Sequence, residues 1–192
     1  MEKKHINACQ NGDLEAFGAL YDQYLQPIYQ FIYFKTHHRE TAEDLTSQTF
    51  IKALKAIQSF DTKKASFKTW LYQIARNTVI DHYRSFKQER PLEDAWNIND
   101  KADVERDVDF QLKIEAVESY LETLKPEQRE IILLRLWGGH AFAEIAEITG
   151  KTEAACKMNF KRSMEKLRCD FAPLLLLLLT ISSLWPPNFN PF

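Results

Sequence analysis

Residues 67–84, Phe-Lys-Thr-Trp-Leu-Tyr-Gln-Ile-Ala-Arg-Asn-Thr-Val-Ile-Asp-His-Tyr-Arg, carry aromatic, amide and cationic side chains in one stretch. These are the groups needed to hold an unstacked nucleic-acid base, amides for its edge and cations for the neighbouring phosphates. Phe67, Trp70, Leu71, Ile74 and Ala75 recur at helical spacing, whereas Asn77, Asp81 and Arg84 fall at i, i+4 and i+7 on a different stripe. The spacing predicts a helix with one face buried and the other presented. Taken alone, such a polar stripe is usually just solvated, so the company it keeps decides its meaning.

That helix needs partners to bury its apolar face. Asp13 suits a helix N-cap, and after it Phe17, Leu20, Tyr21, Tyr24, Ile28 and Phe31 trace a helical stripe, with a kink or restart expected at Pro27. A second helix is predicted from about Glu40 to Ser59. It turns Leu45, Thr49, Ala53 and Ile57 inward beside Phe50 and Leu54, and leaves Asp44, Gln48, Lys52 and Lys55 along an exposed edge. Between it and the 67–84 helix lies the polar, basic loop Phe60-Asp61-Thr62-Lys63-Lys64-Ala65-Ser66. Residues 1–85 form the first expected domain.

Residues 86–112 read as an acidic linker, with a break at Arg90-Pro91 and Glu93, Asp94, Asp100, Asp103, Glu105, Asp107 and Asp109 among few apolar anchors. A second small domain, residues 113–170, opens with Ile114, Val117, Leu121 and Leu124. It restarts at Pro126, suited to the first helical position, with Glu127 in the first turn, and that helix ends at Gly138-Gly139. Residues 142–160 then have the layout of a helix-turn-helix. Ala146 permits a close crossing, Gly150 takes the left-handed turn conformation, and Cys156 and Phe160 face the core, so that Lys157, Met158, Lys161 and Arg162 point outward as a major-groove reader requires.

Composition narrows the class. Five glycines and no alternating β-branched runs in 192 residues predict an all-α fold: two small helical domains joined by the acidic linker. The formal net charge of −2 conceals a pattern. Residues 61–90 hold seven Lys and Arg against three Asp and Glu, residues 91–130 hold five against twelve, and residues 131–170 again favour the basic side, seven to five. Two basic blocks separated by an acidic one fit two footprints on a polyanion. The weak total charge implies that a partner supplies part of the affinity for DNA.

Cys9, Cys156 and Cys169 are odd in number and lack CxxC spacing, so neither a disulfide framework nor a zinc site is expected. Cys156 and Cys169 sit about 20 Å apart if they share a helix. No apolar leader follows Met1, which points to the reducing cytoplasm. Neither a GxGxxG nor a P-loop occurs, and His37-His38 has no acidic or cysteine company. Catalytic residues, metal and cofactor are therefore all expected to be none, and the histidine pair reads as surface.

Taken together these residues resemble the bacterial RNA polymerase sigma factors of the extracytoplasmic function (ECF) group, over most of the chain. Ala42-Glu43-Asp44-Leu45-Thr46-Ser47-Gln48-Thr49-Phe50 is similar to the family's polymerase-clamp helix and residues 67–84 to its promoter-melting helix. Leu124-Lys125-Pro126-Glu127-Gln128-Arg129-Glu130 with Ile145-Ala146-Glu147 is similar to its second DNA-binding domain. The resemblance implies that Asp44, Gln48 and Lys52 dock on the clamp of core RNA polymerase, with its flap as a further contact. It implies that Asp61, Thr62, Lys63, Lys64, Ser66, Arg76, Asn77 and Arg84 meet the melted minus 10 element of promoter DNA. Thr152, Lys157, Met158, Lys161 and Arg162 would read the minus 35 element, with an anti-sigma factor as a further candidate partner. Asn159 departs from a position often basic in the family. Phe67 and Trp70, by their helical register, are expected to pack rather than to stack on bases.

The rival reading is a polymerase-independent helix-turn-helix regulator whose first domain dimerises or senses a ligand. It accounts for the second domain but leaves the 67–84 stripe and its basic loop without a role. Residues 171–192, six leucines followed by serines and a Pro-rich end, belong to neither domain pattern and are too short an apolar run for a membrane span. Protein contact is the favoured reading of this tail over contact with a membrane interface.

Overall fold

Every regular element among residues 2–89 and 119–170, the residues that the computed structural model describes, is helical. The chain divides into two compact units, Met1–Lys101 and Ala102–Phe192. The greater part of the acidic linker, Ile114, Val117 and the 171–192 tail lie outside the described residues.

The first unit contains α1 (Glu2–Gln10), α2 (Glu15–Thr36), α3 (Arg39–Ala56) and α4 (Phe67–Glu89), with a 3-10 turn, Ile57–Ser59, closing α3. Helix α1, which periodicity did not reveal, buries Ile6 and Cys9, and the Tyr24 hydroxyl donates to the Glu2 carboxylate. The Asp13 carboxylate caps α2 as expected, accepting from the N–H groups of Glu15 at 3.1 Å and Ala16 at 3.2 Å.

Pro27 does not restart α2, which runs unbroken for 22 residues. Leu20 and Tyr24 before the proline and Ile28, Phe31 and Ile32 after it are all buried. Burial of each large apolar side chain is worth about 1.5–3 kcal/mol, so the stripe outweighs the cost of roughly 3 kcal/mol for an interior proline.

His37-His38 proves to be a corner rather than an idle surface pair. His37 takes a left-handed φ of 51° and its N–H reaches the Tyr33 carbonyl at 2.7 Å, which ends α2. His38 Nδ1 then accepts from the Thr41 N–H at 3.1 Å and caps α3. The core beneath is aromatic: Phe50 meets Tyr21 at 4.7 Å and Phe17 at 6.4 Å, Phe31 meets Tyr72 at 5.2 Å, and Tyr24 meets Phe67 at 5.6 Å, all tilted or edge-on.

Helix α4 buries Phe67, Thr69, Leu71, Tyr72, Ala75, Thr78 and Val79, while Trp70 and Ile74 are only half-buried. The buried face is broader than the expected stripe because α4 packs against both α2 and α3. It also runs to Glu89, past the expected start of the linker at residue 86.

In the second unit, helical residues 119–122 precede α5 (Pro126–Ile132), which widens into a π turn over Leu133–Trp137, followed by α6 (Phe142–Thr149) and α7 (Glu153–Asp170). Pro126 occupies the first helical turn as expected. The Gly138 N–H bonds the Leu133 carbonyl five residues back at 3.0 Å, and Gly150, at φ 70°, ends α6. Tyr120, Leu121, Ile131, Leu134, Ile145, Ile148, Cys156 and Leu167 form the core. The Tyr120 hydroxyl is satisfied inside it by the Ser163 carbonyl.

Candidate nucleic-acid interface

The basic loop between α3 and α4 is built from its own polar residues. Asp61 Oδ1 accepts from the Lys63 N–H at 2.9 Å, and the Asp61 carbonyl accepts from the Lys64 N–H at 3.0 Å, so Asp61 shapes the turn. At the far end Ser66 Oγ accepts from the Thr69 N–H at 3.1 Å and lies 2.8 Å from the Thr69 hydroxyl, capping α4. Of the residues assigned to this loop, Asp61 and Ser66 thus hold its frame, and Thr62, Lys63 and Lys64 are exposed upon it.

Below the loop, the Phe60 ring packs at 5.7 Å from Phe67 and 4.8 Å from Trp70. Both Phe67 and Trp70 are engaged in packing, in keeping with their register. The expected stripe of Asn77, Asp81 and Arg84 is exposed along α4, and Arg76 is half-buried beside it. His82, on the same helical segment, has its pKa lowered by burial, with the Asp44 charge pulling the other way.

The outer edge of α3 exposes Asp44, Ser47, Gln48 and Lys55. Sequence reasoning missed its centre: Ile51 is 52% exposed, seven residues from Asp44 and three from Gln48, on the same stripe. An apolar residue amid a polar stripe was the available signal. Lys52 is exposed along this edge as expected, its side chain 47% accessible, and makes a further contact. Its Nζ crosses to α4, 3.1 Å from the Thr78 hydroxyl and 4.0 Å from Asp81.

In the second unit, Thr152 Oγ1 accepts from the Ala155 N–H at 3.2 Å, so this residue caps α7. Cys156, Ser163 and Leu167 bury one side of the helix, and the Phe160 ring meets Phe142 at 5.6 Å. Lys157, Met158, Lys161 and Arg162 are exposed together on the other side. Lys157 pairs with Glu153 at 2.6 Å and Lys161 with Glu165 at 3.8 Å. Exposed pairs at this spacing are worth about 0.3–0.5 kcal/mol, little enough for a phosphate to displace them. Asn159 folds back, its Nδ2 donating to the Ala155 carbonyl at 3.0 Å. Across the turn, Lys151 reaches Glu127 at 3.0 Å and fastens it to α5.

Among the described residues no group of His, Cys, Asp and Glu is arranged to hold a metal, and no helix is long and apolar enough to cross a membrane.

An all-helical unit with a basic loop and presented stripe, followed by a helix-turn-helix unit with a basic outer face, defines a DNA-binding protein of two parts. Sigma-70 region 2 matches residues 20–89 and Sigma-70 region 4 matches residues 114–167. The chain is 37% identical over 165 residues to the ECF RNA polymerase sigma factor BldN of Streptomyces coelicolor, covering 84% of this chain and 62% of the relative. It is 30% identical to the ECF sigma factor SigW of Bacillus subtilis, over 88% of this chain and 95% of SigW. Among solved structures, the sigma factor RpoE of Bartonella quintana, co-crystallised with the anti-sigma factor NepR, superposes with a TM-score of 0.69 at 25% identity, covering 85% of this chain and 98% of RpoE. The chain belongs to the ECF RNA polymerase sigma factors, which are transcription initiation factors. The region 2 match also gives the first unit the role that the free-standing regulator reading could not.

Proposed function

We propose that three surfaces of this sigma factor divide the work of starting transcription. The exposed strip of α3, with Asp44 and Gln48 around Ile51, docks on the clamp of core RNA polymerase, and the second domain contacts the flap. Loop 61–66, backed by Arg76 and Asn77, receives an unstacked base of the minus 10 element, while Lys63, Lys64 and Arg84 hold the adjacent phosphates. The exposed face of α7, Lys157, Met158, Lys161 and Arg162 behind the Thr152 cap, reads the minus 35 duplex. The two working domains span residues 1–89 and 113–170, taking the first to the end of α4.

The observation that carries this reading is the pairing of a firmly framed loop with exposed donors. Asp61 and Ser66 are spent on the turn and the cap, Thr62, Lys63 and Lys64 are left exposed between them, and Asn77 and Arg84 are exposed further along α4. A base pocket needs that combination, since donors held in place bind without an ordering cost. The chain itself catalyses no step, acts in the cytoplasm, and is held in check by an anti-sigma factor, as the RpoE–NepR complex suggests by similarity.

Purified chain mixed with core polymerase is expected to yield transcripts from a defined subset of a promoter library, and core polymerase alone is not. Equal affinity for duplex promoter DNA with and without polymerase would overturn the assignment and favour a free-standing regulator.

A further inference from the structure

Gln10, the last residue of α1, reaches into the junction between α3 and the basic loop. Its Nε2 donates to the carbonyl of Phe60 at 2.6 Å and to that of Ile57 at 3.1 Å, 50 and 47 residues further along the chain. The Ile57 carbonyl belongs to the 3-10 turn that ends α3, and the Phe60 carbonyl lies just past it, where the helical ladder has stopped. The Ile57 carbonyl also accepts from the Phe60 N–H at 3.1 Å, the bond that closes that turn.

The position matters because Phe60 leads directly into the loop. Its ring is 7% exposed and wedged against Phe67 and Trp70. The exit of the loop is fixed separately by Ser66 on Thr69. The entrance is therefore fixed by a side chain from outside the loop, on a helix held down by Ile6, Cys9 and the Glu2–Tyr24 bond.

We infer that Gln10 is a positioning residue for minus 10 base capture: its amide clamps the loop entrance and so sets where Thr62, Lys63 and Lys64 stand. This rests on the reading of loop 61–66 as the base pocket. Without the two donated bonds, the turn carbonyls must recruit water and the entrance loosens. The loss falls on base discrimination, which depends on loop geometry, rather than on docking through the outer edge of α3.

The test uses holoenzyme assembled from full-length chain and core polymerase. Two single-stranded oligonucleotides serve as probes, one with the preferred minus 10 sequence and one with its captured base replaced, and the readout is the ratio of their affinities. Gln10→Met removes both donors at similar length, Gln10→Asn keeps the amide but shortens its reach, and Gln10→Lys restores a donor to both carbonyls. Met and Asn are expected to lower the ratio about tenfold with affinity for core polymerase unchanged, and Lys to recover most of it. A ratio unchanged in Met and Asn, or a Lys variant as poor as Met, overturns the inference. A loop variant with Thr62, Lys63 and Lys64 all changed to Ala separates the two layers. If it leaves the ratio intact, the base-pocket reading falls and the role of Gln10 with it. If it lowers the ratio while the Gln10 variants do not, only the inference about Gln10 falls.

Discussion

Lys52 Nζ stands 3.1 Å from the Thr78 hydroxyl, which is 1% exposed, and so ties α3 to α4. One member of the edge expected to meet polymerase thereby has a second task. Lys52 stays exposed beside Asp44, Gln48 and Ile51 and also serves the contact between helices. Ile51→Ala is expected to weaken binding to core polymerase by about tenfold, as for an apolar anchor near the centre of an interface, and to change unfolding stability by less than about 0.5 kcal/mol because the side chain is exposed. Lys52→Met should do the opposite, lowering stability through the abandoned Thr78 with a smaller effect on binding. Fluorescence anisotropy with labelled chain and a denaturant titration separate the two, and equal binding losses would show that Lys52 belongs to the docking strip after all.

The start of α6 lacks a side-chain cap. Glu144 Oε2 accepts from the Ala141 N–H at 2.8 Å, which is one half of a capping box, but Ala141 has no oxygen to return the bond to the third residue of the helix. Ala141→Ser completes the exchange on an exposed residue whose backbone is already extended. The second unit should gain about 1 kcal/mol, read as a higher denaturant midpoint with an unchanged slope. No gain would mean that Glu144 alone already satisfies the helix start.

How much of this was legible from sequence depended on how local the cause was. Asp13, Pro126 and Gly150 act on residues within four positions of themselves, and their roles as cap, helix start and turn came out as expected. Pro27 misled because the local rule was overridden by an apolar stripe that continues on both sides of it. Lys52 and Gln10 were beyond reach for a different reason. Their partners lie 26 and about 50 residues away, and no periodicity encodes which carbonyl or hydroxyl a long polar side chain will find. Within the candidate site, exposure of Asn77, Asp81 and Arg84 followed from helical geometry, whereas the diversion of Asp61 and Ser66 into the loop frame needed the folded turn.

Gly138 and Gly150 should both resist substitution, for separate reasons. A Cβ on Gly138 would stand 2.6 Å from His140 Cδ2 and 2.7 Å from the Leu134 carbonyl oxygen, although its φ of −71° suits any residue. The His140 ring is fully buried and the carbonyl is backbone, so neither yields easily. Gly138→Ala is expected to cost about 1–3 kcal/mol as an overpacked core does. At Gly150 nothing lies within 4 Å, and the cost comes from φ 70° instead, about 1–2 kcal/mol for Ala. Asn distinguishes them, since it tolerates the left-handed conformation but is larger than Ala: Gly150→Asn should be milder than Gly150→Ala, and Gly138→Asn worse than Gly138→Ala. The reverse order at either position, in thermal unfolding, would reject the cause assigned there.

His82 gives the first unit a defined pH dependence. Burial lowers its pKa below the ordinary 6.5, the Asp44 charge offsetting part of the effect, so the folded state prefers the neutral ring. The unfolded chain then binds the proton more readily than the folded one, and stability rises with pH wherever that difference exists. The contribution is complete above about 6.5, the unfolded value, and is lost as pH falls from there through the lowered folded value. His82→Gln should flatten the stability profile of the unit between neutral and mildly acidic pH, leaving the carboxylate-driven loss at lower pH in place. Asp44→Asn removes the offsetting charge, depresses the folded pKa further and should steepen the same part of the profile. Denaturant midpoints for the three chains across that range test both signs together, and a wild-type slope retained in His82→Gln would assign the dependence to another group.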